Sequence, residues 1–278
     1  MRRKRHRAVH RNAPHDSAEG RFERRGQSIG IIAGKGGVGK TTLTANVGVS
    51  LAKDFGVNAI VVDANVLTSN LGLHLGFLRE PVSLHDVLQN KLPIEKVIYV
   101  HSSGLSVVPS SLSIDKPIDA GAIHRTIDHL TKRYDIVLVD SAPGLSKEAL
   151  AVINACDNFL VVTNPDVPSV TDAIKAINEV EKRNKRVLGI AVNKIAGRPY
   201  ELSKENIERA TDHSVISEIP YDERVPASIA AKMPIVMFAP KSMASIRFRQ
   251  LAAWLCDKPF VAPKEFWLDR LIKFIFGG

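Results

Sequence analysis

Seven short runs of apolar and β-branched residues recur along the 278-residue chain, and they limit most strongly how it can fold. Each run is apolar almost throughout, which is typical of strands buried on both faces of a parallel sheet. Segments with helical spacing, such as Lys40–Lys53 and Val170–Glu181, lie between most of the runs. This alternation predicts an α/β fold with a doubly wound, mostly parallel sheet flanked by helices. The runs are Ile29–Ala33, Ala59–Asp63, Leu105–Pro109, Asp135–Asp140, Phe159–Thr163, Val187–Asn193 and Val215–Ile219.

A glycine-rich segment between the first run and the first predicted helix matches the pattern G-x-x-x-x-G-K-[ST] in full. Its glycines allow the backbone to curl so that consecutive N–H groups point at phosphate oxygens, and the N-terminus of the following helix favours the same negative charge. We expect Lys40 to lie beside the terminal phosphates of a nucleotide and the Thr41 hydroxyl to ligate Mg²⁺. The residues predicted to bind the nucleotide are Gly34, Lys35, Gly36, Gly37, Val38, Gly39, Lys40, Thr41 and Thr42.

Two aspartates stand at the ends of predicted strands. Asp63 ends the second run and Asp140 ends the fourth. Carboxylates at the C-terminal ends of buried parallel strands lie at the edge where open α/β sheets bind ligands. Because carboxylate oxygens suit Mg²⁺ and its waters, we predict that Asp63 and Asp140 join Thr41 in a magnesium site.

Lys35 is a second lysine inside the glycine-rich segment. In this feature the chain resembles the deviant Walker A ATPases of the MinD and ParA family, which are P-loop NTPases of the SIMIBI-like type. The resemblance implies that the nucleotide is ATP with Mg²⁺, and that Lys35 reaches across a homodimer interface to the nucleotide of the other subunit. A cation placed there would neutralise charge that develops during phosphoryl transfer. The resemblance extends from about residue 28 to the C-terminus.

Two further segments resemble the switch regions of that family. Asp140 is followed by Ser141-Ala142-Pro143-Gly144, as in its Walker B and switch II turn, and Asp63-Ala64-Asn65 resembles switch I. Where this chain has Asn65, the family commonly has a second aspartate that helps to orient the attacking water. Asparagine can accept a hydrogen bond from water but carries no negative charge, so we expect slow hydrolysis. The candidate catalytic residues are Lys35, Lys40, Asp63 and Asn65.

The resemblance also suggests how the base is bound. Family members read adenine with an asparagine amide at the position of Asn193, and Glu218–Asp222 resembles the loop that closes over the base with its backbone groups. Asn193 taken alone is more often a turn residue. Because both segments match in register, we predict that Asn193 and Pro220 contribute to ATP binding.

Charge and cysteine content narrow the remaining possibilities. Residues 1–27 contain nine Lys or Arg and three Asp or Glu, a net +6 out of the +9 of the whole chain. This composition is typical of a disordered extension and suits polyanions such as nucleic acid or anionic lipid. Cys156 and Cys256 are too isolated to supply the metal ligands of the nitrogenase iron protein, the iron–sulphur carriers or the tail-anchored-protein targeting ATPase. With no signal-peptide pattern and no apolar run of about 18 residues, we expect a cytoplasmic protein.

The last segment of the chain has an amphipathic helical pattern. Six apolar side chains of Lys264–Phe276 fall on one arc of a helical wheel, and Pro263 suits the first turn. A helix of this length is too short to span a bilayer but can lie in its interface. The ending, including Phe276-Gly277-Gly278, resembles the membrane-targeting sequence of MinD proteins, although a helix docked on the domain itself is the alternative. The predicted membrane-binding residues are Trp267, Leu268, Leu271, Ile272, Phe274 and Ile275.

The sequence thus predicts four segments: a basic tail at 1–27, a P-loop ATPase domain at 28–256, a linker at 257–263 and a membrane-targeting helix at 264–278. We expect a homodimer that forms with ATP, attaches reversibly to lipid on the inner face of the cell membrane, and recruits a partner protein or activator. Such a switch would position cell division or another cellular structure. The alternative is a ParA-like partition ATPase whose dimer binds DNA nonspecifically, which the basic tail favours.

Overall fold

The computed structural model describes residues 25–66, 69–77, 80–110 and 120–261, without the side chain of residue 120. The strands are β1 (Gln27–Ile32), β2 (Ala59–Asp63), β3 (Tyr99–Val100), β4 (Ser106–Val108), β5 (Ile136–Asp140), β6 (Asn158–Thr163), β7 (Arg186–Ile195) and β8 (Val215–Pro220). The helices are α1 (Lys40–Lys53), α2 (Leu71–Leu75), α3 (Leu84–Leu88), α4 (Ala120–Thr131), α5 (Lys147–Ala155), α6 (Val167–Glu181), α7 (Lys204–Thr211), α8 (Arg224–Ala230), α9 (Ile235–Phe238) and α10 (Met243–Leu255). A 3-10 helix covers Ile94–Val97.

The strands form one eight-stranded sheet in the order β3-β4-β2-β5-β1-β6-β7-β8. Each neighbouring pair is parallel except β3 and β4, which are antiparallel. The predicted mostly parallel α/β sheet is therefore confirmed, and each of the seven apolar runs overlaps a strand. The sequence patterns did not predict β3, because a strand of two residues at the edge of the sheet carries no periodic signal.

Alternate residues of the strands face two helical layers. On one face, buried side chains of β1, β2 and β5 pack with those of α1, α2, α9 and α10. On the other face, the same strands pack with α3, α4, α5, α6 and α7. Covering both faces buries the central strands fully, so β2 and β5 have no exposed residue. This explains why their sequences are apolar throughout rather than alternating.

Local capping fixes the ends of the helices around the sheet. The helix α1 has the predicted bounds, and it follows Gly39, whose φ of 98° is left-handed. The helix α6 begins at Val167, three residues before the predicted start at Val170. Its N-cap Asp166 accepts a hydrogen bond from the Ser169 backbone N–H at 2.9 Å, and Pro168 occupies the first turn.

The start of β1 is hydrogen-bonded to the last residues of α10 and α4. The Gln27 side-chain amide donates to the Leu255 carbonyl at 3.1 Å, and the Gly26 N–H donates to the Thr131 carbonyl at 2.7 Å. The β1 strand therefore begins within the predicted tail, one residue before the predicted domain boundary. Within 25–66, 69–77, 80–110 and 120–261, no helix combines the length and apolarity needed to cross a bilayer. The predicted helix at 264–278, with Trp267, Leu268, Leu271, Ile272, Phe274 and Ile275, lies outside the described residues, as does the tail up to residue 24.

Candidate nucleotide site

A cleft of about 500 Å³ opens beside the loop that joins β1 to α1. Residues 35–42 form one wall, and residues 219–222 with part of α8 form the other. The loops that follow β1, β2, β5 and β8, together with the last residues of β7, contribute to it. These loops leave the carboxyl ends of the strands, the edge where ligands bind in open α/β sheets. The predicted nucleotide residues from Lys35 to Thr42 therefore lie together, facing a cavity large enough for a small ligand.

Close packing and left-handed backbone explain the glycines of the loop. Gly37 and Gly39 have φ values of 81° and 98°, which side chains disfavour. A Cβ atom on Gly34 would lie 2.0 Å from the Asp172 carbonyl oxygen. A Cβ atom on Gly39 would lie 2.1 Å from the Asn193 amide nitrogen. The loop can therefore hold this curled shape only with glycine at these positions.

Asn193 and Lys194 brace the loop from the end of β7. The Asn193 amide donates to the Val38 carbonyl at 2.8 Å, and the Lys194 ammonium donates to the Gly37 carbonyl at 2.7 Å. Both bonds occupy carbonyl groups, which leaves the loop N–H groups available to face an anion. Asn193 also lines the cleft, so its predicted contact with a base and this bracing role fall on one side chain.

Lys40, Thr41 and Asp140 form a polar cluster at the base of the loop. The Lys40 ammonium donates to the Ser141 carbonyl at 2.6 Å and lies 3.5 Å from an Asp140 carboxylate oxygen. The Thr41 hydroxyl donates to the other Asp140 oxygen at 2.6 Å. The cation and the hydroxyl predicted to meet phosphate and Mg²⁺ are thus held next to a buried carboxylate.

Asp63 lies beside Asp140 at the ends of two adjacent strands. The two residues are register partners of β2 and β5, and both are fully buried. Burial, followed by the charge of Asp140, raises the pKa of Asp63 from 3.8 to about 7. Hydrogen bonds from Ser69 and from the Asn65 and Leu71 N–H groups oppose that rise.

This pair of carboxylates fits a divalent cation. Two buried acids in neighbouring register positions repel each other, and a bound cation would relieve both the repulsion and the burial penalty. The Thr41 hydroxyl at 2.6 Å from Asp140 adds a hard oxygen ligand of the kind that Mg²⁺ prefers. The structure thus brings together all three predicted magnesium residues.

Lys35 projects from the rim of the loop rather than into its base. Its ammonium lies 3.4 Å from a carboxylate oxygen of Asp166, the N-cap of α6. The Lys35 side chain is 36% exposed, whereas that of Lys40 is 8% exposed. A weak ion pair of this kind holds Lys35 at the open side of the cleft without burying its charge.

The far wall of the cleft provides apolar surface and backbone groups. Pro220 ends β8, and Tyr221, Val225, Ile229 and Phe248 line the cleft beside it. Apolar side chains with a few backbone polar groups are typical of a surface that receives a planar ring. Asn65 is buried and lines the same cleft near Asp63. The predicted residues Asn65, Asn193 and Pro220 are therefore brought to one cavity.

The sequence patterns did not predict His74, a cleft residue of α2. Its Nε2 atom lies 3.1 Å from the Thr42 hydroxyl, and its Nδ1 atom lies 2.9 Å from the Asn70 carbonyl oxygen. Burial lowers its pKa below 6.5, although the Asn70 carbonyl and the charge of Asp140 act in the other direction. No motif marks this position, and the only signal was its spacing of four residues from Asn70 on a short helix.

Comparisons with known proteins agree with this geometry. A sequence model of the ParA family, described as an NUBPL iron-transfer P-loop NTPase, matches residues 25–256. An uncharacterized ATP-binding protein of Methanocaldococcus jannaschii is 34% identical, over 90% of this chain and 97% of its own length. The septum site-determining protein MinD of Pyrococcus horikoshii, solved in complex with Mg-ADP, superposes with a TM-score of 0.79 at 28% identity, over 82% of this chain and 95% of that chain.

A further solved structure, the MinC:MinD cell division protein complex of Aquifex aeolicus, matches with a TM-score of 0.78 at 31% identity, over 86% of this chain and 98% of that chain.

Cys156 and Cys256 pack on opposite faces of the sheet, so they do not form a joint metal site. Among the described residues, no three or more His, Cys, Asp or Glu side chains are grouped so that they could hold a metal ion. The phosphate loop, the sheet order and these matches lead to one conclusion: the chain belongs to the ParA and MinD family of P-loop ATPases.

Proposed function

We propose that this protein is a nucleotide-switched dimer that binds ATP with Mg²⁺, attaches to a membrane in the ATP state and positions a cellular structure. The cleft carries the proposal, since it combines a buried lysine, a rim lysine and two adjacent carboxylates around one phosphate loop. Relatives named as septum site-determining proteins support the positioning role. The MinC:MinD complex supports recruitment of a partner protein.

In the proposed ATP complex, different residues of the chain bind the phosphates, the Mg²⁺ ion and the base. The loop N–H groups and the N-terminus of α1 bind the phosphates, and Lys40 neutralises their charge. Thr41, Asp63 and Asp140 hold Mg²⁺, which shields phosphate charge when bound. The wall formed by Pro220 and Tyr221 covers the base. Hydrolysis is slow, because Asn65 can orient water only as a neutral group.

The position of Lys35 supports dimerisation. Lys40 already supplies a cation to the nucleotide of its own subunit, while Lys35 is partly exposed at the rim of the cleft, where it pairs with Asp166. Its charge is available to a nucleotide held by a second copy of the chain. That second cation stabilises negative charge in the way an arginine finger does, so dimer formation and nucleotide state depend on each other.

Membrane attachment is assigned to the segment 264–278. Its apolar arc is wide enough for interfacial binding, while Lys264–Phe276 has a net charge of only +1, so binding rests mainly on apolar burial. The linker starts directly after α10, whose end is bonded to Gln27 at the start of β1. The end of α10 therefore lies at the opposite end of β1 from the phosphate loop.

A ParA-like DNA-binding function is the second candidate. The net charge of +6 in residues 1–27 favours it, because nonspecific DNA binding depends on neutralising phosphates. The same charge would also suit anionic lipid, so the tail alone does not decide between them.

Co-sedimentation separates these two functions. The full-length chain is mixed with liposomes containing anionic lipid or with nonspecific duplex DNA, each with Mg-ATP or Mg-ADP. We expect the protein to pellet with liposomes in ATP, to remain in solution in ADP, and to bind DNA weakly in both. ATP-dependent binding to DNA without binding to liposomes would replace the proposal with the ParA-like function.

A further inference from the structure

His74 connects the segment after β2 to the phosphate loop helix within the cleft. It lies on α2, which follows the switch I segment, and contacts Thr42 of α1. Both side chains line the cleft. No sequence motif assigns His74 a role, yet its Nε2 atom lies 3.1 Å from the hydroxyl of Thr42, a residue predicted to bind the nucleotide.

The hydrogen-bond partners fix which ring nitrogen carries the proton. The Asn70 carbonyl can only accept, so Nδ1 at 2.9 Å from it must be the donor. Burial favours the neutral ring. The Nε2 atom is then an acceptor, and the Thr42 hydroxyl 3.1 Å away donates its single proton to it.

Nucleotide binding changes what Thr42 can do. A phosphate oxygen only accepts hydrogen bonds, and the Thr42 hydroxyl has one proton to donate. If that proton turns to the phosphate, the Nε2 lone pair faces the Thr42 oxygen with no proton between them. Protonation of Nε2 restores a continuous chain in which His74 donates to Thr42 and Thr42 donates to the phosphate.

We propose that His74 is a positioning residue for the nucleotide phosphates, and that it takes up a proton through Nε2 when the nucleotide binds. The inference rests on the proposed ATP binding at this cleft. It assigns to His74 the task of orienting the Thr42 hydroxyl, with neutral Nε2 as acceptor in the free protein and protonated Nε2 as donor in the complex.

The charges around His74 favour this change. Asp140, at the end of β5, is the carboxylate whose charge acts on the ring, and it favours the protonated form. The other charged side chains that line the cleft are Lys35, Lys40, Lys194 and Asp222. Lys232 follows α8, and its backbone carbonyl oxygen lies near Gly76 at the end of α2. A bound polyphosphate adds negative charge that Mg²⁺ offsets only in part, and the remaining charge beside Thr42 raises the pKa of His74 further.

The sign of the pH dependence follows from this linkage. Because the pKa of His74 is higher in the complex than in the free protein, nucleotide affinity is greatest and constant below the pKa of the free protein. It falls as pH rises between the two pKa values, by up to about tenfold per pH unit for one proton, and it is constant again above the pKa of the complex.

Calorimetric titration of the full-length protein with Mg-ATP at about pH 7 tests the inference. The titration is repeated in PIPES and in Tris buffer, whose different heats of ionisation reveal how many protons are taken up. His74→Gln keeps an amide that can donate to Thr42 but cannot titrate. His101→Gln is the matched control, because His101 is a half-buried histidine whose pKa is also lowered and which lies outside the cleft.

We expect wild type and His101→Gln to take up more protons per nucleotide than His74→Gln, and the affinity of His74→Gln to fall less steeply with pH. Equal proton uptake in all three proteins, with clear binding heats, overturns the role of His74 while leaving ATP binding intact. If wild type gives no heat and no nucleotide binding by any probe, the proposed function fails and the inference fails with it.

Discussion

At the residue scale, the two loop lysines differ in burial and in partners, and this predicts different effects of removing them. Lys40 is buried against Ser141 and Asp140, so Lys40→Ala leaves the phosphates without their cation and should abolish ATP binding. Lys35 is exposed at the rim. Lys35→Ala should therefore keep ATP affinity within a few-fold of wild type but lose hydrolysis. Titration with a fluorescent ATP analogue and a phosphate-release assay measure both.

The control for these lysine variants is Lys175→Ala. Lys175 is an exposed lysine of α6 paired with Asp172 at 2.9 Å, outside the cleft, and its removal should change neither quantity. A Lys35→Ala protein that hydrolyses ATP at the wild-type rate would contradict the proposed role of Lys35.

Asn65 is the residue expected to limit hydrolysis. It is buried in the cleft beside Asp63, so Asn65→Asp places a negative charge where the attacking water is expected. We predict a faster single turnover. A tenfold rise corresponds to about 1.4 kcal/mol of transition-state stabilisation, which one charged hydrogen bond can supply. Rapid-quench measurement of one turnover decides the matter, and an unchanged or lower rate would argue against a water-orienting role.

Asp63 gives a pH-dependent prediction for the protein without Mg²⁺ and nucleotide. Its pKa is raised from 3.8 to about 7, so the folded chain holds this proton more tightly than the unfolded chain does. Stability contributed by the protonated form is therefore present at low pH and is lost as pH rises from about 4 to about 7. Asparagine does not titrate, so Asp63→Asn should not lose stability at this position as the pH rises.

Thermal melts at pH 5 and pH 8 measure this effect. Between these pH values, the Tm of Asp63→Asn should fall less than that of wild type, by at least about 3 °C, the shift expected for roughly 1 kcal/mol in a domain of this size. Glu223→Gln, at an exposed position, serves as the control. If the Tm of all three proteins changes by the same amount between pH 5 and pH 8, the pKa of Asp63 is not raised in the folded protein.

At the element scale, the central sheet was predictable because burial on both faces forces continuous apolar runs. The ends of the elements were less predictable. The start of α6 depends on the side chain of Asp166 and on Pro168, which lie outside the apolar pattern used to place that helix. The strand β3 exists only because Tyr99 and Val100 pair with β4.

The site residues also fall into those that local sequence motifs predict and those that depend on contacts between distant segments. Gly34 to Thr42, Asp63 and Asp140 stand in short motifs with fixed spacing, so the sequence alone placed them together. His74 was missed because its role depends on α2 folding against α1, a contact between residues 32 positions apart. The bracing of the loop by Lys194 depends in the same way on a bond that joins residues 157 positions apart.

The C-terminal segment carries the prediction for membrane attachment. Burying a large apolar side chain contributes roughly 1.5–3 kcal/mol before costs, and six such side chains share one arc of this segment. Leu271→Glu puts a charge at the centre of that arc and should release the protein from liposomes while ATP affinity is unchanged. Lys273→Gln, on the polar face of the predicted helix, changes the net charge by the same −1 and is the matched control. Retention of Leu271→Glu on liposomes in ATP would favour a segment docked on the domain.

At the scale of the whole molecule, the nucleotide cleft and the end of α10 lie at opposite ends of β1. A strand of six residues spans roughly 20 Å, which separates the end of α10 from the phosphate loop. We propose that dimerisation links ATP to membrane attachment, since two segments on one dimer would make the second insertion intramolecular. Avidity of this kind can raise apparent affinity by about 10²–10⁴.

The mass of the protein in solution tests this central claim most directly. Light scattering on the full-length chain, with Mg-ATP and with Mg-ADP, distinguishes the 30.4 kDa monomer from a species of twice that mass. The account predicts a dimer in ATP, a monomer in ADP, and a monomer in both nucleotides for Lys35→Ala. A wild-type chain that stays monomeric in saturating ATP, or a Lys35→Ala chain that dimerises as wild type does, would contradict it.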